Sequence, residues 1–207
     1  MKRIIVLVRH GQSEFNFRKL YTGRRDPELT AQGVEEARAA GRKLGESGYR
    51  FDIAFTSEFR RAQHTLELIL SELDQSHLTV VRNGALNERD YGVLTGLDRQ
   101  EATDRFGKTS LRAWRRSFDA APPGGESLRE TVRRVTDYYD RTILPLVLEG
   151  GRVLVSAHSN SLRALIMNIE KLGEEQAVAR SFETGVPVAY RFGANGSVNS
   201  WQILRPA

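Results

Sequence analysis

The chain has no cysteine among its 207 residues. That excludes a disulfide framework and any thiolate metal site, and it suits a reducing, cytoplasmic setting. Long hydrophobic runs are missing as well, and nothing approaches the roughly 20 apolar residues that a membrane-spanning helix needs. The N-terminal "IIVLV" is too short for the apolar core of a secretory signal with a normal cleavage site behind it. Aromatics make up only 8% and do not interleave with basic residues, which argues against a base-stacking platform for nucleic acid. Acidic residues fall short of basic ones, 26 against 31, for a net charge of +5. The excess is mostly arginine, spread through the chain rather than massed in a tail, and such a balance fits nucleic acid, an anionic substrate or no partner at all.

What is present is an alternation of strand-length apolar runs and segments of helical period. "RIIVLVRH" (3–10), "FDIAFTS" (51–57), "LTVVRN" (78–83) and "RVLVSAH" (152–158) read as strands. "PVAYRF" (187–192) and "VNSWQIL" (198–204) read as two more around the turn "GANG". Val34, Ala37, Gly41 and Leu44 mark one face of a helix capped by Thr30, and Ala62, Leu66, Ile69, Leu70 and Leu73 mark a second. Leu128, Val132, Val135, Tyr139 and Leu146 stripe a third, capped by Ser127, and Leu162, Leu165, Ile166 and Ile169 a fourth. This predicts a single α/β domain over 1–207 in three layers, a mostly parallel central sheet with helices on both faces. Residues 84–125 break the rhythm, being polar, glycine-containing and weakly helical up to the cluster "APPGGES". An excursion of that length in a compact domain predicts a functional segment.

Open α/β sheets bind ligands beyond the carboxyl ends of their strands. Those ends are Arg9-His10-Gly11, Thr56-Ser57 with Arg60 and Arg61 just after, Asn87-Glu88-Arg89, and His158-Ser159-Asn160. One such exit alone could be a plain solvent-facing edge. Gathered on one rim, they would make a phosphate site. Arginine gives bidentate donors matched to phosphoryl oxygens, and small residues let backbone N–H groups approach an anion. Neutral imidazole can carry a phosphoryl group, and a second, protonated histidine would offset the charge on the transferring oxygens. No nucleotide loop, H-E-x-x-H or carboxylate cluster occurs, so no metal is expected. Arg60, adjacent to Arg61 on a helix, is assigned to solvent. His64 and His77 receive no role, Trp114 and Trp201 are assigned to packing, and Arg24 and Arg25 fit either steering charges or plain surface.

"VRHGQSEFN" resembles the RHG signature of the histidine phosphatase superfamily. "YTGRRDPELTAQGVEEA", "TSEFRRAQHTL", "LNERDYGVLTGLDRQEA", "WRRSFDAAPPGGES", "ILPLV", "AHSNSLRALI" and "ETGVPVAYRF" are similar, in that order, to its cofactor-dependent phosphoglycerate mutase branch. The resemblance implies His10 as the nucleophile that becomes phosphohistidine, with Arg9, Arg61 and His158 as the phosphate pocket. It implies Glu88 as general acid/base, and Ser13, Asn16, Thr22 and Gly23 as the hold on the substrate's phosphate and carboxylate end. Tyr91, Arg99, Arg115 and Arg116 would grip a distal phosphate, with Gly11, Arg89, Ser159 and Asn160 completing the binding set. The implied reaction interconverts 3-phosphoglycerate and 2-phosphoglycerate in glycolysis and gluconeogenesis. It runs through phosphohistidine and 2,3-bisphosphoglycerate, which is also the priming phosphoryl donor, and it uses no metal. The implied partners are a small phosphorylated substrate and further copies of the chain, as a dimer or tetramer, with neither nucleic acid nor membrane. Two other readings stand beside it, a phosphatase of the same superfamily and a non-catalytic anion-binding protein. A second phosphate grip such as "WRRSF" favours the mutase over the first, and the intact His10, Glu88 and His158 set disfavours the second.

Three features depart from the branch's usual pattern. Ser159 stands where glycine is common, which raises the question of whether the backbone there tolerates a side chain. "APPGGES" is much shorter than in the longer members, which predicts an altered lid. The chain ends at "LRPA" without a Lys/Gly-rich tail, which predicts a more open site where water competes for phosphohistidine.

Overall fold

The computed structural model describes residues 2–206. Strands β1 (Ile4–Arg9), β2 (Ile53–Thr56), β3 (Val80–Arg82), β4 (Arg152–Ala157), β5 (Pro187–Phe192) and β6 (Val198–Ile203) form one sheet. Its order is β3-β2-β4-β1-β5-β6. The first four strands of that order run parallel, while β5 is antiparallel to β1 and β6 to β5. The α-helical segments are α1 (Glu14–Phe17), α2 (Ala31–Glu46), α3 (Arg60–Glu72), α4 (Arg99–Arg116), α5 (Leu128–Tyr138), α6 (Leu144–Leu148), α7 (Ser159–Ile169) and α8 (Glu174–Ala179).

Successive side chains of a strand point to opposite faces, so β1 feeds two cores. Ile4, Val6 and Val8 pack with Ala40 and Leu44 of α2 and with Leu66 and Ile69 of α3. Ile5 and Leu7 pack on the other face with Val135 of α5 and with Leu162, Leu165 and Ile166 of α7. The result is the three-layer α/β arrangement predicted from the alternation. Both predicted caps are present. Thr30 Oγ1 accepts from Gly33 N at 3.1 Å, and Ser127 and Glu130 bond reciprocally as a capping box.

The helical content differs from the sequence expectation at two places. The excursion 84–125 holds the 18-residue α4, closed at its start by the Asp98/Glu101 capping box and broken at Gly107 (φ 77°, ψ 152°). Only Ala102 and Leu111 of α4 are buried, so its apolar stripe is too thin to give a strong helical period. The third helix also slips register. A π-turn over Tyr139–Ile143 adds a residue, and the buried stripe continues through Ile143 and Val147 while Leu146 is only half-buried. Pro145, which has no N–H to give the preceding turn, lies two residues beyond it.

Candidate active site

The register of the central strands sets the site. Arg9 of β1 pairs with Ala157 of β4, so the next residues, His10 and His158, emerge side by side. His10 N donates to Ala157 O at 3.0 Å, and the two imidazole centroids are 5.0 Å apart. On the far side of β4, Thr56 pairs with Ser156, so Ser57 leaves β2 level with Ala157 and its side chain reaches His158. Three strand ends thus converge, and the two histidines are 3% and 0% exposed.

His10 Nδ1 lies 2.7 Å from Gly11 O. A carbonyl only accepts, so Nδ1 carries the proton and Nε2 keeps its lone pair. Arg61 Nε donates to that Nε2 at 3.3 Å. Burial, then the charges of Arg61 and Arg9, hold the His10 pKa well below the usual imidazole value. A neutral, oriented imidazole results, which is the form a nucleophile requires. Gly11 permits the turn: a Cβ there would sit 2.1 Å from Gly33 O at the start of α2.

His158 is also held neutral, its pKa pushed well down by burial and then by Arg61, His10 and Arg9. Phe59 N donates to Ser57 Oγ at 3.2 Å, and Ser57 Oγ lies 2.7 Å from His158 Nε2. His158 Nδ1 is buried and has no hydrogen-bond partner among the described residues. Arg61, fully buried, donates Nη1 to Arg25 O (2.8 Å) and Asp26 Oδ1 (3.2 Å), with its guanidinium over the Phe59 ring. Arg9 Nη1 donates to Phe182 O at 2.9 Å. Burial lowers the pKa of both guanidinium groups, and the Glu88 charge is the main influence opposing it. Arg9 Nε, Arg61 Nη2 and His158 Nδ1 are buried polar atoms without hydrogen-bond partners among the described residues. Such a buried polar atom costs about 1–3 kcal/mol when unmet, so unspent guanidinium donors of the two arginines that bear on His10 fit a phosphoryl group with several acceptor oxygens.

Glu88 presents its two oxygens differently. Oε1 accepts from Arg89 N (2.8 Å), Asn160 N (3.2 Å) and Asn160 Nδ2 (3.0 Å), at the N-terminus of α7. Oε2 takes no hydrogen bond among the described residues and is the oxygen open to exchange a proton. Asn160 Nδ2 also donates to Tyr91 Oη at 3.0 Å. The loop carrying Glu88 is clamped by Arg134, which reaches Ala85 O, Asn87 O, Glu88 O and the Glu126 carboxylate.

Beside the histidine pair, Arg9, Asn16, Lys19, Tyr21, Arg99 and Arg115 help line a cleft of about 540 Å³ that has no carboxylate in its wall. It adjoins a bay of about 320 Å³ that shares Tyr21, Arg99 and Arg115 and adds Lys108, Arg112 and Arg116. Arg99, Arg115 and Arg116 are exposed and form no ion pair among the described residues, so their charges are free for a ligand.

Several of the predicted binding residues have other partners here. Ser13 and Asn16 cap α1 and bond to each other, Ser13 Oγ to Asn16 Oδ1 at 3.0 Å. Arg89 spends Nε on Glu126 O (2.7 Å) and Nη2 on Trp114 O (3.0 Å) and Ala120 O (3.1 Å). Its buried guanidinium therefore pins the excursion. Thr22 precedes Gly23, whose φ of +50° and close approach to Thr95 suit only glycine. Ser159 opens α7 without a left-handed φ, so its side chain is accommodated where glycine is common. Ser57, Asp26 and Phe182 were not in the predicted set. Ser57 stood at a strand end in the sequence, but the Arg9–Phe182 contact spans 173 positions and leaves no local signal.

The chain belongs to the histidine phosphatase superfamily (branch 1), whose family model matches residues 5–199. Within it, the chain is 57% identical over 199 residues to a 2,3-bisphosphoglycerate-dependent phosphoglycerate mutase of a Bradyrhizobium species, covering 96% of each chain. It is 53% identical over 206 residues to the protein of that name from Methylocella silvestris, covering 100% of each. Among solved structures, a putative alpha-ribazole-5'-P phosphatase from Escherichia coli superposes with a TM-score of 0.84 at 27% identity, covering 98% of this chain and 95% of that one.

Proposed function

We propose that this chain interconverts 3-phosphoglycerate and 2-phosphoglycerate as a 2,3-bisphosphoglycerate-dependent phosphoglycerate mutase. The observation that carries the reading is the pairing of two separate cation sets. One is the guanidinium groups of Arg9 and Arg61 beside the neutral His10 and His158 rings, and the other is Arg99, Arg115 and Arg116, which form no ion pair among the described residues. Hydrolysis of a monophosphate needs only the first. When bound, 2,3-bisphosphoglycerate supplies the phosphoryl group that primes His10. His10 Nε2 then carries that group while Arg9 Nε, Arg61 Nη2 and His158 Nδ1 take its oxygens. Glu88 Oε2 takes the proton of the attacking substrate hydroxyl and returns it to the leaving oxygen in the reverse transfer. The far cations hold the substrate's other anionic end, so it can present either hydroxyl without leaving the cleft.

The reading places the chain in glycolysis and gluconeogenesis, in the cytoplasm and as a dimer or tetramer, with no metal in the reaction. The second reading is a phosphatase, favoured by the name of the superposed Escherichia coli protein. Isotopically labelled 2,3-bisphosphoglycerate is expected to put an acid-labile, base-stable label on the chain. His10→Ala is expected to abolish it, and a retained label would refute the assigned nucleophile.

A further inference from the structure

Arg163, one turn into α7, bears on the Glu88 carboxyl without touching it. Its Nε and Nη2 edge is fixed on Arg180 O, at 3.1 and 2.7 Å. That anchoring aims Nη1 at Asn160 Oδ1, to which it donates. A guanidinium has donors only, so the oxygen of the Asn160 amide must face it and the NH2 must face away. The NH2 then lies between Glu88 Oε1 (3.0 Å) and Tyr91 Oη (3.0 Å). Without the Arg163 donor the amide can turn over, placing Oδ1 against the carboxylate, where two acceptors repel. Glu88 would then lose one of three donors on Oε1 and its fixed aim. The same carbonyl anchor ties α7 to the segment whose Phe182 O holds Arg9.

We propose that Arg163 is a positioning residue for Glu88, acting through the orientation of the Asn160 amide. This rests on the reading of Glu88 as the proton-transfer group. In the phosphorylation step the His10 Nε2–P bond forms, the P–O bond to the leaving group breaks, and the proton on Glu88 Oε2 passes to the departing oxygen. An alkoxide-like leaving group needs that proton, whereas 4-nitrophenolate leaves with its electron pair unprotonated. A fault confined to Glu88 therefore slows transfer from the first and spares the second.

The test is single-turnover phosphorylation of His10 in wild type and Arg163→Met, using 2,3-bisphosphoglycerate and 4-nitrophenyl phosphate as donors. The proposal predicts a loss of about 30-fold or more with the bisphosphate and less than about threefold with the nitrophenyl ester. Glu88→Gln should show the same donor contrast, and Arg163→Met added to it should cost little more. Equal losses with both donors would overturn the proposal and leave Arg163 a structural residue. If Arg163→Met does not fold, Arg163→Ala is held to the same contrast. If the wild type takes no phosphoryl group from 2,3-bisphosphoglycerate, the mutase reading fails by itself. The contrast is then read with 3-phosphoglycerate as the alkyl donor, where equal losses still overturn the role of Arg163.

Discussion

Arg61 Nε lies 3.3 Å from His10 Nε2 and donates to it, with the guanidinium itself fully buried. The cation therefore does three things at one atom. It orients the lone pair, adds to burial in keeping the ring neutral, and leaves Nη2 unspent for a phosphoryl oxygen. His158 stands under the same charge and is held neutral for the same reasons. The two rings thus await a dianion, which would satisfy the unmet donors and balance the arginines together.

That arrangement has a pH signature. Both histidines have folded-state pKa values well below the usual 6.5, chiefly through burial. As pH falls below about 6.5, the unfolded chain binds protons that the folded chain refuses, so stability present above that value is lost. The slope reaches about 1.4 kcal/mol per pH unit for each histidine. Urea unfolding at pH 7.5, 6.5 and 5.5 should show this fall, reduced to about half in His158→Asn. A flat profile over that window would mean the rings are not held neutral.

Arg89 and the Arg115/Arg116 pair should separate stability from binding. Arg89→Met strips the donor from two backbone carbonyls in the excursion and a third just after it, and should cost about 2–4 kcal/mol, with early proteolysis within 99–125. Arg115→Ala with Arg116→Ala removes exposed charges that form no ion pair among the described residues. Unfolding free energy should stay within about 0.5 kcal/mol while KM for 3-phosphoglycerate rises about 10- to 100-fold. A KM effect for Arg89→Met alone, with stability intact, would reverse the assignment.

Ser159→Gly tests whether the departure from the common glycine matters. Ser159 has no left-handed φ, so glycine relieves no strain there and adds backbone freedom to the unfolded chain. Stability is expected to fall by about 0.5 kcal/mol or less and activity to change by less than about twofold. A gain in both would show that the serine is tolerated at a cost.

Much of this was legible in the sequence because it is carried by local pattern. The six strands follow from apolar runs, and the meeting of His10 with His158 follows once β1 and β4 are parallel neighbours in register. The thin apolar face of α4 and the π-turn at Tyr139 were not legible, since neither leaves a strong period. The roles of Arg89, Arg163 and Phe182 escaped for another reason. Each depends on a backbone carbonyl, and any residue type can supply one, so spacing and composition hold no trace of the contact.

The central claim is that one imidazole passes a phosphoryl group between two positions of a substrate held at its far end. It is tested most directly by incubating the protein with 3-phosphoglycerate in EDTA, with and without 2,3-bisphosphoglycerate, and following 2-phosphoglycerate and free phosphate together. The account predicts bisphosphate-stimulated formation of 2-phosphoglycerate with little phosphate released. Phosphate release as the dominant product would contradict it and assign the chain to the phosphatases.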